Sequence, residues 1–144
     1  MATTISKNFT LEELCASDTA KARGIDNTPT KQAVVNLTHL AIKVLQPLRV
    51  GLKEPISISS GYRSPALNRA VGGVSNSQHL TGEAADINIG GDIAKGKRIF
   101  NYIRYNLPFD QLIWERNKQG VYWVHVSYNK SGNRGQVIEN LLKK

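Results

Sequence analysis

The chain has 144 residues, enough for one ordinary domain with its own core, and 40% of them are hydrophobic, which excludes a disordered composition. Nineteen Lys and Arg against 11 Asp and Glu give a formal charge of +8, a surface that attracts polyanions such as nucleic acid or an anionic cell envelope. No apolar run is long enough to cross a bilayer, and the single cysteine, Cys15, excludes an internal disulfide or a cysteine-built zinc knuckle.

Residues 1–8 read as a loose terminus without the basic start and apolar core of a secretory signal peptide, so synthesis and folding in a cytoplasm are expected. Thr10-Leu11-Glu12-Glu13 is a capping box that opens a short helix. Ser17 opens a second, which Gly24 ends. Thr30 caps the longest helix, from Lys31 to about Val50. Val34, Leu37, Ala41, Val44, Leu45 and Leu48 form its buried stripe, His39 lies off it, and Pro47 kinks or ends it. Ile56 to Ser59 alternates as a strand, and Ser64-Pro65 starts a helix that Gly72-Gly73 stops.

Val74 to Thr81 is a polar loop. Glu83 to Ile89 is a strand, with Ala84, Asp86 and Asn88 on one face and Ala85, Ile87 and Ile89 on the other. Asp92 caps a helix to about Tyr105. Phe109–Glu115 and Val121–Tyr128 then form a hairpin, and Gly135 to Leu142 reads as a short helix. No repeat, linker or second domain is visible, so residues 1–144 are expected to form one domain.

The stretch from Ile58 to Ile89 is dense in Gly, Ser and Asn, yet it sets Arg63, His79 and Asp86 inside ordered segments. A zinc hydrolase needs three N or O ligands and an open position. His79, Asp86 and His125 supply such a set. His125 interrupts an apolar strand, where a polar side chain needs a partner. The bland alternative makes Asp86 a surface strand residue and His125 a hydrogen-bonded core histidine. A metal hydrolase also needs a base. A loop of five to seven residues between the hairpin strands lets Glu115 share a face with Trp123 and His125. A slip of one residue would turn it away, leaving an exposed carboxylate beside Arg116.

Arg63, in a tight turn after a strand, is a candidate to stabilise an oxyanion or to grip a substrate carboxylate. The alternative is a structural arginine bonded to loop carbonyls. Ser77 and Gln78 flank His79 and can orient it or contact substrate. Trp123 is a further candidate substrate contact. The basic residues do not interleave with aromatics as single-strand binders require, and no nucleic-acid motif is present.

SGYRSPALNRAVGGVSNSQHLTGEAADI, followed by an aromatic–x–His strand in WVHV, resembles the zinc D-Ala-D-Ala carboxypeptidase and L-alanyl-D-glutamate endopeptidase family of peptidoglycan peptidases. With FTLEELCAS and FDQLIWE, the resemblance spans most of residues 9–128. It implies an α+β fold of helices packed on a small antiparallel sheet, shared with the hedgehog signalling domain. It implies one Zn2+ on His79, Asp86 and His125, with Arg63 on the substrate. Many members place an acid three positions before the last histidine, where this chain has Tyr122, and others have Asp two after it, where this chain has Ser127. Glu115 from the paired strand is therefore the candidate base. The expectation is a monomeric zinc peptidase acting on peptidoglycan stem peptides at the cell wall or periplasm, drawn to an anionic envelope, with no specific nucleic-acid partner. A phage endolysin and an exported bacterial effector both fit, and a non-catalytic wall-binding or signalling module of the same fold is the other reading.

Overall fold

The computed structural model describes residues 3–142. The fold is α+β. Its helices begin where side chains can close free backbone N–H groups. Thr10 accepts from Glu13 N ahead of α1 (Leu11–Cys15), and Ser17 from Ala20 N ahead of α2 (Asp18–Arg23). Thr30 does so ahead of α3 (Lys31–Leu40). Gly24 ends α2 in the left-handed region, as the sequence predicts.

Pro47 does not break the long helix. One π-helical turn, Ala41–Leu45, leads into α4 (Gln46–Leu52), with the proline in its first turn. The widened turn accommodates a ring with no N–H to give, so the helical path continues. Leu37, Ala41, Val44, Leu45 and Leu48 are fully buried along it, and Val34 is half-buried.

Strands β3 (Ser57–Ser60), β4 (Ala84–Asn88), β5 (Gln111–Arg116), β6 (Tyr122–Ser127) and β7 (Gln136–Leu142) form a sheet in the order β3-β4-β6-β5-β7. All pairs are antiparallel except β5 with β7. Alternation gives the sheet two unlike faces. Ala85, Ile87, Leu112, Trp114, Val124 and Val126 join the core with the long helix and α6 (Ile93–Asn106), which Asp92 caps. Each fully buried aliphatic there stabilises the fold by about 1.5–3 kcal/mol. Asp86, Glu115, Trp123 and His125 belong to the opposite face.

Two expectations fail where distant partners decide. The first residues form a two-stranded ribbon, β1 (Thr4–Ser6) with β2 (Phe9–Thr10), rather than a loose end. Gln46 secures it, accepting from Ser6 Oγ and Asn8 N at 2.8 Å, while Phe9 is buried. The tail expected as a helix from Gly135 to Leu142 is instead β7, so the sheet is mixed rather than purely antiparallel. The physical reason is the open edge of β5, whose backbone groups need partners. Gly135 N donates to Phe109 O and Gln136 N to Asp110 O, docking the tail in register.

Asp110 locks that junction. Its carboxylate accepts from Arg134 N and Nε through Oδ1 at 2.8 and 2.9 Å, and from Arg134 Nη2 through Oδ2 at 2.8 Å. These bonds hold the Asp110 carboxyl down at about 2. A folded-state pKa below the unfolded one adds stability above the unfolded value, near 4, and loses it as pH falls towards 2. The wild type is expected to lose on the order of 2 kcal/mol across that window beyond any loss in Asp110→Asn. Urea midpoints of both proteins between pH 5 and pH 2 measure the difference, and parallel curves would disprove the linkage.

Candidate metal centre

Two central strands place half of the centre. In the β4–β6 ladder Asp86 stands directly opposite His125, and Ile113 of β5 faces His125 from the other side. His79 arrives on a 3-10 turn, Gln78–Thr81, between α5 (Pro65–Ala70) and β4. Ser77 starts that turn by accepting from His79 N at 3.2 Å. Gly82 ends it at φ 76°, and a Cβ there would stand 2.6 Å from Ala33 O. Glycine is thus required both for the backbone conformation and for the close approach.

The His79 ring is oriented from behind. Its Nδ1 lies 2.7 Å from the carbonyl of Gly61. A carbonyl only accepts, so Nδ1 carries the proton and Nε2 keeps its lone pair. That Nε2 sits 3.3 Å from Asp86 Oδ2. Asp86 Oδ1 lies 2.9 Å from His125 Nδ1, which is also 3.5 Å from Glu115 Oε1. The two imidazoles meet edge to face with centroids 5.2 Å apart. All three residues are buried.

Burial lowers the pKa of His79, against the pull of Asp86, and so favours the neutral ring. Burial alone would raise the Asp86 carboxyl. The facing His79 imidazole and the hydrogen bond from His125 outweigh it and hold Asp86 well below the usual carboxylate range. The centre therefore offers two imidazole nitrogens and an ionised carboxylate, with ligand atoms all within 4.8 Å of one another. This donor set fits zinc. Two ligands about 2.0–2.1 Å from a tetrahedral ion lie roughly 3.4 Å apart, close to the His79–Asp86 spacing. Calcium and magnesium, which want oxygen cages, fit poorly.

A cleft of about 320 Å³ opens onto this group, lined by Gln78, His79, Gln111, Glu115, His125 and Arg134 among others. Glu115 stands opposite Trp123, in the register that the loop length suggests, and is 2% exposed rather than free beside the turn. Trp123 Nε1 is buried with no acceptor among the described residues. Tyr122 turns to the core face, stacked on Trp114 with centroids 5.2 Å apart. Ser127 Oγ is occupied by Gln111 N at 3.0 Å. Tyr122 thus faces away from the centre, and Ser127, on the His125 face, carries a hydroxyl rather than an acid.

Arg63 lies beside the centre, bonded through all three nitrogens. Nε donates to Ser60 Oγ at 3.1 Å, Nη1 to Asn68 Oδ1 at 3.3 Å and Nη2 to Asp86 Oδ2 at 3.5 Å. Its acceptors are side chains rather than the loop carbonyls of the structural alternative. Gln78 Nε2 donates to Asp110 Oδ2 at 2.9 Å, while its Oε1 is buried with no partner among the described residues. The Gly61 carbonyl, Ser60, Asn68, Asp110 and Arg134 did not stand out in the sequence. Asp110, a charged residue opening the apolar run FDQLIW, carried the one usable signal.

A Cβ on Gly61 would meet Leu14 O at 2.1 Å, so Gly61→Ala must move the carbonyl that holds His79. Zinc affinity is expected to fall about 10- to 100-fold in Gly61→Ala and to be lost in His79→Ala. Competition titration against a chromogenic chelator gives both values, and unchanged zinc affinity in His79→Ala would remove this centre from consideration.

The family model for Peptidase M15 matches residues 7–127. The zinc D-Ala-D-Ala carboxypeptidase of Streptomyces albus G is 37% identical over 86 residues, 58% of this chain and 32% of that protein. The chain thus spans about a third of the length of that curated relative. The matched region holds every residue of the His79–Asp86–His125 centre together with Arg63 and Glu115, and with a family match over most of its length the chain belongs to the Peptidase M15 family.

Proposed function

We propose that this protein is a zinc-dependent peptidase that cuts the peptide stems of bacterial cell wall, its whole chain working as one domain and one copy. The observation that carries the reading is the convergence of His79, Asp86 and His125 at one end of a cleft that also holds the buried carboxylate of Glu115. The related carboxypeptidase supports the substrate class. His79 Nε2, a carboxylate oxygen of Asp86 and His125 Nδ1 would hold the ion. When bound, zinc polarises a scissile carbonyl and lowers the pKa of water.

This chain's own groups supply the rest. Glu115 accepts a proton from the attacking water and delivers it to the leaving amine nitrogen, a task its place beside His125 suits. Arg63 keeps a permanent positive charge beside Asp86, where it can steady a developing oxyanion. Ser77 holds His79, Gln78 lines the cleft beside it and Trp123 shares the sheet face of His125, which leaves both as the candidate peptide contacts. The +8 charge would draw the protein to an anionic envelope. A phage endolysin and an exported bacterial effector both fit this behaviour.

Tyr122 in place of the acid that many relatives carry favours one rival, a zinc-bearing module that binds wall peptides without cutting them. Digestion of purified peptidoglycan with and without chelator, with fragments identified by mass, separates the two. Zinc-loaded protein should release new amino groups, and chelator should stop it. Glu115→Gln should lower the rate by about 10²- to 10⁴-fold while zinc content stays at the wild-type level. Bound zinc and bound wall fragments with no new amines would establish the module instead.

A further inference from the structure

Part of the cleft wall is built by residues beyond the matched region, Arg134 and Ile138. Arg134 precedes β7 and lines the cleft with Gln78, His79, Glu115 and His125. Its guanidinium is held along one edge only. Asp110 takes Nε–H and one N–H of Nη2, and also Arg134's own backbone N–H. Nη1 and the second N–H of Nη2 meet no acceptor among the described residues. The Asp110 side chain is 3% exposed and the Arg134 side chain 58%, so a buried anchor presents an open fork.

The same anchor holds a second group. Asp110 Oδ2 accepts from Gln78 Nε2, which leaves Gln78 Oε1 buried and without a donor. Gln78 is the neighbour of His79 in the chain. One buried carboxylate therefore orients both the outward N–H donors of Arg134 and the Gln78 side chain, next to the metal centre. Outward guanidinium N–H groups take an anion, and a planar carboxylate meets two of them at once. In a cleft read as a peptidase site, the free carboxylate of a peptide is that anion. Arg63 is poorly placed for this task, since its side chain is largely buried and borders a different cavity, with Ser59, Ser60 and Leu67.

We propose that the outer edge of the Arg134 guanidinium, held by Asp110 beside Gln78, is the subsite that binds a substrate carboxylate next to the scissile peptide bond. This rests on the peptidase reading of the same cleft and assigns Arg134 as a residue that determines its specificity. A wall stem can present such a carboxylate at a D-Ala-D-Ala terminus or on the glutamate of L-Ala-D-Glu. Either meets the fork in the same way.

The test is equilibrium binding, which is independent of turnover. N-acetylated D-Ala-D-Ala and L-Ala-D-Glu, each as free acid and as α-carboxamide, are titrated by calorimetry into zinc-loaded full-length Glu115→Gln protein with Arg134 intact or changed to Gln or Lys. With Arg134 intact, at least one acid should bind about 10- to 100-fold tighter than its amide, and which one identifies the source of the carboxylate. Arg134→Gln should bring that ratio close to one while leaving the amide's affinity in place, and Arg134→Lys should keep part of the preference. No acid preference with Arg134 intact overturns the proposal, as does a preference that survives Arg134→Gln. Equal weakening of acid and amide also overturns it, because that is the mark of a purely structural Arg134–Asp110 pair. Loss of chelator-sensitive peptidoglycan cleavage would instead strike the peptidase reading, and the binding ratios are read separately from it.

Discussion

A carboxylate in a protein interior is costly unless every lone pair that faces inward finds a partner. Asp86 meets that demand with His125 on one oxygen and Arg63 on the other, which also faces His79 across the ligand site. Each partner then needs its own support. His79 takes the Gly61 carbonyl, and Arg63 takes Ser60 and Asn68. Arg63 N also donates to His79 O, which ties the two loops to each other. The glycines follow from this crowding. Gly61 and Gly82 sit where a side chain would strike backbone, and a Cβ on Gly73 would stand 2.0 Å from Asn68 Oδ1. The loop-rich region from residue 60 to residue 83 is the scaffold that makes one buried anion tolerable. A cation bound among the three ligands would then be part of what stabilises that scaffold, since the unfolded chain cannot assemble the site.

The sheet explains how a carboxylate can reach the centre from an unexpected place in the chain. A side chain three residues from His125 on the same strand points to the other face, and Tyr122 does so by stacking on Trp114. A residue on the neighbouring strand, paired with Trp123, shares the face of His125 and comes as close in space. Glu115 occupies that position. Position in the sequence and position in the site are linked only through strand register, so an acid can move from one strand to the next and still stand beside the same imidazole.

The same distinction separates what could be read from the sequence from what could not. The caps at Thr10, Ser17, Thr30, Ser64 and Asp92 are closed within three residues, so local spacing reveals them, and each accepts the N–H expected of it. The Asp86 face of β4 and the Glu115–Trp123 register follow from alternation and loop length, which are also local. The π turn before Pro47, the β1–β2 ribbon and β7 were not legible. The ribbon and β7 each depend on a partner far along the chain, Gln46 under the ribbon and the open edge of β5 beside the tail. In the segment from Gly135 to Leu142 the apolar spacing suits a helix or a strand about equally, and the unpaired edge of the sheet settles it.

Asp110 shows why the unread part matters for function. It lies within the family region, while Arg134 lies past its end, and their contact spans 24 positions. Through Asp110 the tail is attached to the turn that carries Gln78 and His79, so the wall of the cleft and the ligands at its base share one anchor. The region common to the family supplies the centre, and the segment outside it supplies part of the surface a substrate would meet. That arrangement would place part of the selectivity in the tail, on the subsite proposed for Arg134. It works only while the tail is docked, which the parallel pairing of β7 on β5 and the Asp110–Arg134 fork achieve together.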